Sequence, residues 1–148
     1  MFGMLKEKLA GAASRLSGKT DLLEGIAAGG ILVSAADGEL ESEEVAVLIE
    51  ALCANETLSK AFTDTQISGI VDKMIKKASP NAAGKIGMVG KIALEREVAE
   101  VKNKSSAEDR EVMLAVLVDV ASADGDIEPA EKAMINKIAA KLGFGAVV

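Results

Sequence analysis

Ala36-Asp37-Gly38-Glu39-Leu40-Glu41, closing on Glu44, recurs as Ala123-Asp124-Gly125-Asp126-Ile127-Glu128, closing on Glu131, at a constant offset of 87 residues. The register extends outward on both sides. Ile31 aligns with Val118, Val33 with Val120, Leu40 with Ile127, Val47 with Met134, Leu48 with Ile135 and Ala51 with Ile138. Each copy reads as an apolar helix, an acidic turn and an amphipathic helix. In the second copy Ile127, Met134, Ile135, Ile138 and Leu142 keep the spacing of one helical face. Two copies in 148 residues predict a halved bundle with an internal pseudo-two-fold, since a solenoid needs more repeats.

Outside the repeat the punctuation is helical as well. Thr63-x-x-Gln66 and Ser105-x-x-Glu108 are capping-box patterns, each opening an apolar periodic stretch. Ser79-Pro80 sets a capping hydroxyl before a proline at the first helical position, and Glu128-Pro129 does the same with an acid. Gly143 after Lys141-Leu142 reads as a C-terminal stop with a cation in the last turn. Alternating strand patterns are missing, while Ala, Leu, Glu, Lys and Met abound. We therefore place helices at about 4–16, 21–36, 42–54, 64–78, 80–102, 106–123 and 129–142, with a short turn near 56–61. This is an all-α fold, a compact bundle of about seven helices in one domain spanning 1–148. Residues 1–19 form an N-terminal helix or tail, and the repeat halves centre on 21–54 and 106–142. The most apolar helices, 21–36 and 106–123, are expected as the central pair.

Composition narrows the chemistry further. The chain is 49% hydrophobic and has no His, Trp or Tyr, so its core must be aliphatic and its aromatics are Phe2, Phe62 and Phe144 alone. Absence of His excludes an imidazole base, nucleophile or metal ligand. The one cysteine, Cys53, excludes an intrachain disulfide and a Cys-cluster zinc site. A net charge of −6 and a pI near 4.8 argue against nucleic acid as a partner. Met1–Thr20 lacks the apolar core and small-residue cleavage site of a secretory signal. The runs Gly25–Ala36 and Val112–Ala123 fall short of the ~20 residues that span a bilayer, and the second carries Asp119. The expectation is a soluble, intracellular protein without a transmembrane segment.

The acidic turns admit two readings. In the structural one, Asp caps a turn, Gly reverses the chain with φ > 0, Leu40 and Ile127 plug the turn into the core, and Glu44 and Glu131 close capping boxes with Glu41 and Glu128. Capping, however, needs only one or two acids per turn. The first turn holds Asp37, Glu39, Glu41, Glu43 and Glu44, and the second Asp124, Asp126, Glu128 and Glu131. A hard divalent cation would remove their repulsion. Ca²⁺ takes six to eight oxygen ligands, and Asp-Gly-x-(Ile/Leu)-x-x-x-Glu copies the last eight positions of an EF-hand loop. The earlier ligand positions would be Val33 and Ala35, or Val120 and Ser122, within apolar helices, so neither turn is a true EF-hand. The cation candidates are Asp37, Glu39 and Glu44 with Asp124, Asp126 and Glu131, as one shared site or a paired anionic face.

The two Asp-Gly turns, the apolar helix before each and the closing Lys141-Leu142-Gly143-Phe144 resemble the TerB tellurite-resistance family over nearly the whole chain. That resemblance implies an all-α, pseudo-symmetric bundle of about seven helices. It also implies a cytoplasmic role in a bacterial stress response, often at the inner-membrane face, linked to tellurite, phage or colicin resistance. Divalent-cation binding, notably of Ca²⁺, is implied for the positions just named, together with a likeness to the helical domain of a membrane-anchored J-domain co-chaperone. Here Ser42 stands where the second copy has Pro129. TerB-like chains also occur on phages and other mobile elements, so the resemblance bears more on fold and cation binding than on tellurite resistance.

Other features carry less. Cys53 sits beside Leu48, Ala51 and Leu52 with no basic neighbour, the setting of an inert thiol. Asp119 is either a further ligand for the turn or a buried acid with its own partner. Gly84-Lys85-Ile86-Gly87-Met88-Val89-Gly90-Lys91 lacks the Gly-Lys-(Ser/Thr) ending of a phosphate loop, and its glycines read as helix-packing residues. Met1–Lys19, with Leu9 and Leu16 beside Lys6, Lys8, Arg15 and Lys19, fits intramolecular packing better than a membrane surface. Catalysis is the least supported class, and no small-molecule substrate is expected. The expected partner is a protein, reached through a cation-ordered surface or, alternatively, by the acidic face docking a basic partner without metal.

Overall fold

The computed structural model describes residues 7–38, 40–79, 86–123 and 125–148. Eight helices follow in order: α1 Ala12–Leu16, α2 Thr20–Ser34, α3 Ser42–Ala54, α4 Glu56–Ala61, α5 Asp64–Ala78, α6 Met88–Lys104, α7 Ala107–Ala121 and α8 Pro129–Lys141. No strand forms among the described residues. The β-type pairing there is one isolated bridge, Leu40 with Ile86, in which Ile86 N–H donates to the Leu40 carbonyl at 3.2 Å.

The repeat is exact in its helix bounds. Adding 87 to Thr20–Ser34 gives the bounds of α7, and adding 87 to Ser42–Ala54 gives those of α8. Local chemistry explains the agreement. At the end of α2, Ala35 N–H donates to Ile31 O at 2.9 Å, and at the end of α7 Ser122 N–H donates to Val118 O at 3.0 Å. Helix α8 ends at Gly143, whose φ of +94° only glycine adopts readily. Gly143 N–H then reaches Ala140 O at 3.1 Å and Phe144 N–H reaches Ala139 O at 2.9 Å, a Schellman closure.

Helix α2 is the hub, packing on α6 and α7 above all and also on α3, α5 and α8. It buries Leu22, Leu23, Ile26, Ile31 and Leu32 around most of its circumference, and α7 buries Val112 through Val118. A Cβ on Gly25 would lie 2.6 Å from Met113 Sδ, so the missing side chain sets how closely these two helices approach. The core is aliphatic as composition requires, with Phe62 buried and Phe144 half-buried. No described helix is long and apolar enough to cross a membrane.

Four expectations need correction. The stretch 56–61 is a full helix, α4, because the Asn55 side chain caps it by accepting from Leu58 N–H at 3.0 Å; this brings the described count to eight. The helix expected over 80–102 opens at Met88. Residues 80–85, including Pro80, lie outside the described residues, and Ile86 is held in its bridge to Leu40. Ser79 instead ends α5, its N–H donating to Ile75 O at 2.8 Å. The cap of α7 is Ser106, accepting from Asp109 N–H at 3.1 Å, since the Ser105 hydroxyl turns back to Val101 O at 2.6 Å. The N-terminal helix expected over 4–16 is interrupted: Glu7 is helical, a turn follows over 8–11 with Gly11 at φ +75°, and Ala12–Leu16 is helical again; residues 4–6 lie outside the described residues.

The N-terminal segment packs on α7. Arg15 Nε donates to Asp109 Oδ1 at 2.6 Å, Lys19 Nζ approaches Asp109 Oδ2 at 3.1 Å, and Lys8 pairs with Glu111 at 3.2 Å. Bases that sequence offered to an anionic membrane thus face carboxylates of the same chain. Asp109 is the buried charged residue of the described core. Burial raises its pKa, but hydrogen bonds from Lys19 and Arg15, and their charges, outweigh that and hold the carboxyl below its usual range.

Candidate functional site

Each acidic turn begins as the apolar helix before it runs out of intrahelical partners. After α2, Ala36 N–H donates to Val33 O at 3.2 Å and Gly38 N–H to Ala35 O at 3.1 Å. After α7, Ala123 N–H donates to Val120 O at 3.3 Å and Gly125 N–H to Ser122 O at 3.1 Å. The turns then part company. Gly125 takes φ +125°, whereas Gly38 stays out of the left-handed region, so the expected φ > 0 holds for the second turn alone. Leu40 is fully buried and bridged to Ile86, while Ile127 is only half-buried. Burying one leucine stabilises by about 1.5–3 kcal/mol, enough to seat the first turn.

The turns close as the structural reading requires. Glu41 N–H donates to Glu44 Oε1 at 3.2 Å, and Glu128 N–H donates to Glu131 Oε1 at 2.9 Å. Glu41 and Glu128 hold extended backbone ahead of α3 and α8, and both helices open with a capping box. One oxygen of Glu44 and one of Glu131 therefore serve a helix N-terminus.

Both turns border one cleft of ≈ 720 Å³. From the first copy come Asp37, Glu43 and Glu44; from the second come Asp126, Glu128 and Glu131. No Lys or Arg is among the described residues lining it. The floor is aliphatic, built from Val33, Val47, Leu48, Leu117 and Val120 with Gly30 and Ala121. Of the six cation candidates, the cleft brings together Asp37, Glu44, Asp126 and Glu131; Glu39 and Asp124 lie outside the described residues.

The oxygen chemistry of this rim suits a hard cation such as Ca²⁺. The described carboxylates, however, form no group of three placed to hold an ion. Asp37, Glu44, Asp126 and Glu131 border the cleft without clustering as a ligand set, so a cation there would need oxygens beyond theirs, from backbone carbonyls and water.

The floor is what sequence reasoning did not single out. Val47 aligns with the half-buried Met134 of the second copy, yet it is 65% exposed. Its signal was present: Val47 lies four residues after Glu43 and three after Glu44, on the same stripe of α3 as those acids.

The remaining candidates resolve away from the cleft. Asp119 accepts from Asn55 Nδ2 at 2.9 Å, so it ties α7 to the α3–α4 junction and does not reach the turn. Cys53 is half-buried; burial, then the charge and hydrogen bond of Asp64, push its thiol up, as an inert cysteine requires. In the glycine-rich stretch, Gly84 and Lys85 lie outside the described residues. A Cβ on Gly90 would stand 2.6 Å from the Ala78 carbonyl oxygen, so this glycine serves the α5–α6 packing.

Residues 23–147 match a family model described as Tellurite resistance protein TerB. No curated protein and no solved structure matches the chain.

Proposed function

The chain belongs to the TerB family of tellurite resistance proteins, and on that premise we propose that it is a binding module, not an enzyme, in which the paired acidic turns take up a divalent cation such as Ca²⁺ and present the cleft to a protein partner. One observation carries this reading: turns 87 residues apart in sequence border a single cleft from both sides. Six carboxylates around one opening exceed what two capping boxes use. A module assembled from so few ligands binds weakly, in the ~10⁻⁴–10⁻³ M range of low-affinity calcium sites. The cellular setting that goes with it is the cytoplasm, at or near the inner membrane, in a stress response that includes tellurite.

Titrating Ca²⁺ into ¹⁵N-labelled protein tests the cation step. Saturable shifts at Asp37, Gly38, Gly125 and Asp126, reversed by chelator, are expected. Unchanged amides at both turns at millimolar Ca²⁺ would sink it.

A second reading, docking of the acidic face on a basic partner without metal, is favoured by the six acids lining the cleft with no Lys or Arg among its described lining residues. It predicts salt-sensitive capture that ignores chelator and is lost in Asp37→Asn with Asp124→Asn. Full capture by that double variant counts against it.

A further inference from the structure

We propose that the occupant of the cleft is an amphipathic helix of a partner protein, with aliphatic side chains along one face and Lys or Arg along both edges. This rests on the reading that the cleft is the partner-binding surface and adds the chemistry of what fills it. The floor supplies the first half of the argument. Val33, Leu48, Leu117 and Val120 line it, and Val47, 65% exposed on a helix whose neighbouring positions are acidic, has no intramolecular reason to be apolar. A purely ionic docking face needs no such floor.

The rim supplies the second half. Acids stand on both sides of the floor, Asp37, Glu43 and Glu44 against Asp126, Glu128 and Glu131, and no base is among the described lining residues. The complement is therefore an apolar stripe bordered by cations on both edges. A helix meets that demand with anchors at i, i+3 or i+4, and i+7. An extended segment would carry backbone N–H and C=O groups over an aliphatic floor with no sheet edge among the described residues to pair them, whereas a helix satisfies them internally. The volume of ≈ 720 Å³ lies within the ~300–1,000 Å³ of pockets that bury a ligand's apolar part.

The probe is a fluorescent peptide of Leu and Lys patterned as an amphipathic helix of about four turns, titrated into the full chain once in chelator and once at millimolar Ca²⁺. The controls are the same pattern in Leu and Glu, and the Leu/Lys peptide with a central proline. Expected are saturable binding of the first peptide alone, weakening with salt, and amide shifts at Val33, Leu48, Val120 and Ala121. Val47→Gln, on an exposed residue, should weaken binding about fivefold by removing apolar contact, and Glu43→Lys should weaken it at least as much at low salt. Equal binding of the Leu/Glu peptide overturns the proposal, as does binding of the proline peptide. Shifts gathered at Met88–Ile92 overturn it too. Concentration-dependent self-association that moves the same cleft amides without peptide would make a second copy the occupant, and also overturn it. Peptide failure with intact Ca²⁺ shifts removes this inference alone; failure of both removes the reading beneath it.

Discussion

Replacing Asp109 by Asn should cost about 2 kcal/mol of folding stability at pH 7. Asp109 is 8% exposed and sits in the first turn of α7, where it receives Arg15 Nε at 2.6 Å and Lys19 Nζ at 3.1 and 3.3 Å. A hydrogen bond to a charged group contributes ~1.5–3 kcal/mol when well shielded. Arg15 and Lys19 side chains are 36% and 46% exposed, so solvent screens both and the pair together is worth about the value of one shielded bond. In a chain of 148 residues ~2 kcal/mol corresponds to roughly 4–8 °C in Tm. The pH dependence separates charge from packing. Because the folded pKa is depressed, this stabilisation is fully present above the unfolded value of about 3.9 and is lost as pH falls through the folded one. Urea unfolding of wild type and Asp109→Asn at a series of pH values should show a constant gap from pH 5 to 8 that closes toward pH 3. Equal midpoints at pH 7 would refute the claim that the network stabilises. A gap that persists in acid would refute its assignment to charge.

Three further outcomes are expected. Gly90→Ala should lower stability by about 1–2 kcal/mol, since contact with the Ala78 carbonyl outweighs a helix-propensity gain of ~1 kcal/mol; Gly69→Ala, in open space within α5, should raise stability by about 0.5–1 kcal/mol, and urea midpoints report both signs. Glu44→Gln with Glu131→Gln keeps an oxygen for each cap, so its melting temperature should stay near wild type while Ca²⁺-induced amide shifts are lost; retained shifts would place the cation elsewhere. Cys53 should react slowly with a thiol-directed disulfide at pH 7, and Asp64→Asn should speed it by removing a charge that raises the thiol pKa; an unchanged rate would leave burial as the whole cause.

What could be read in advance was what depends on near neighbours in sequence. Capping, Gly stops and apolar periodicity are settled within a few residues, so the bounds of α2, α3, α7 and α8 and the Thr63-x-x-Gln66 box were legible. Ser105 against Ser106 shows the grain of that reading: adjacent hydroxyls compete for two helix ends, and which one turns back is decided by geometry. Long-range pairing was not legible. Nothing local says that Ile86 meets Leu40, and that meeting delays α6 to Met88. Likewise the acids of the candidate site were visible as a repeat, but its aliphatic floor is contributed by three helices, α2, α3 and α7, and exists only once they are assembled.

The bridge between Leu40 and Ile86 gives the two lips of the cleft different tolerances to length. Extra residues between Gly38 and Glu41 would pull on the backbone contact that starts α6. Extra residues between Gly125 and Glu128 meet no such bridge among the described residues. For anyone grafting a loop, tag or reporter beside the cleft, the first turn is the forbidden splice point, because its length is set by the Leu40–Ile86 contact. A duplicated pattern has thus become, in its first copy, a jaw of fixed length.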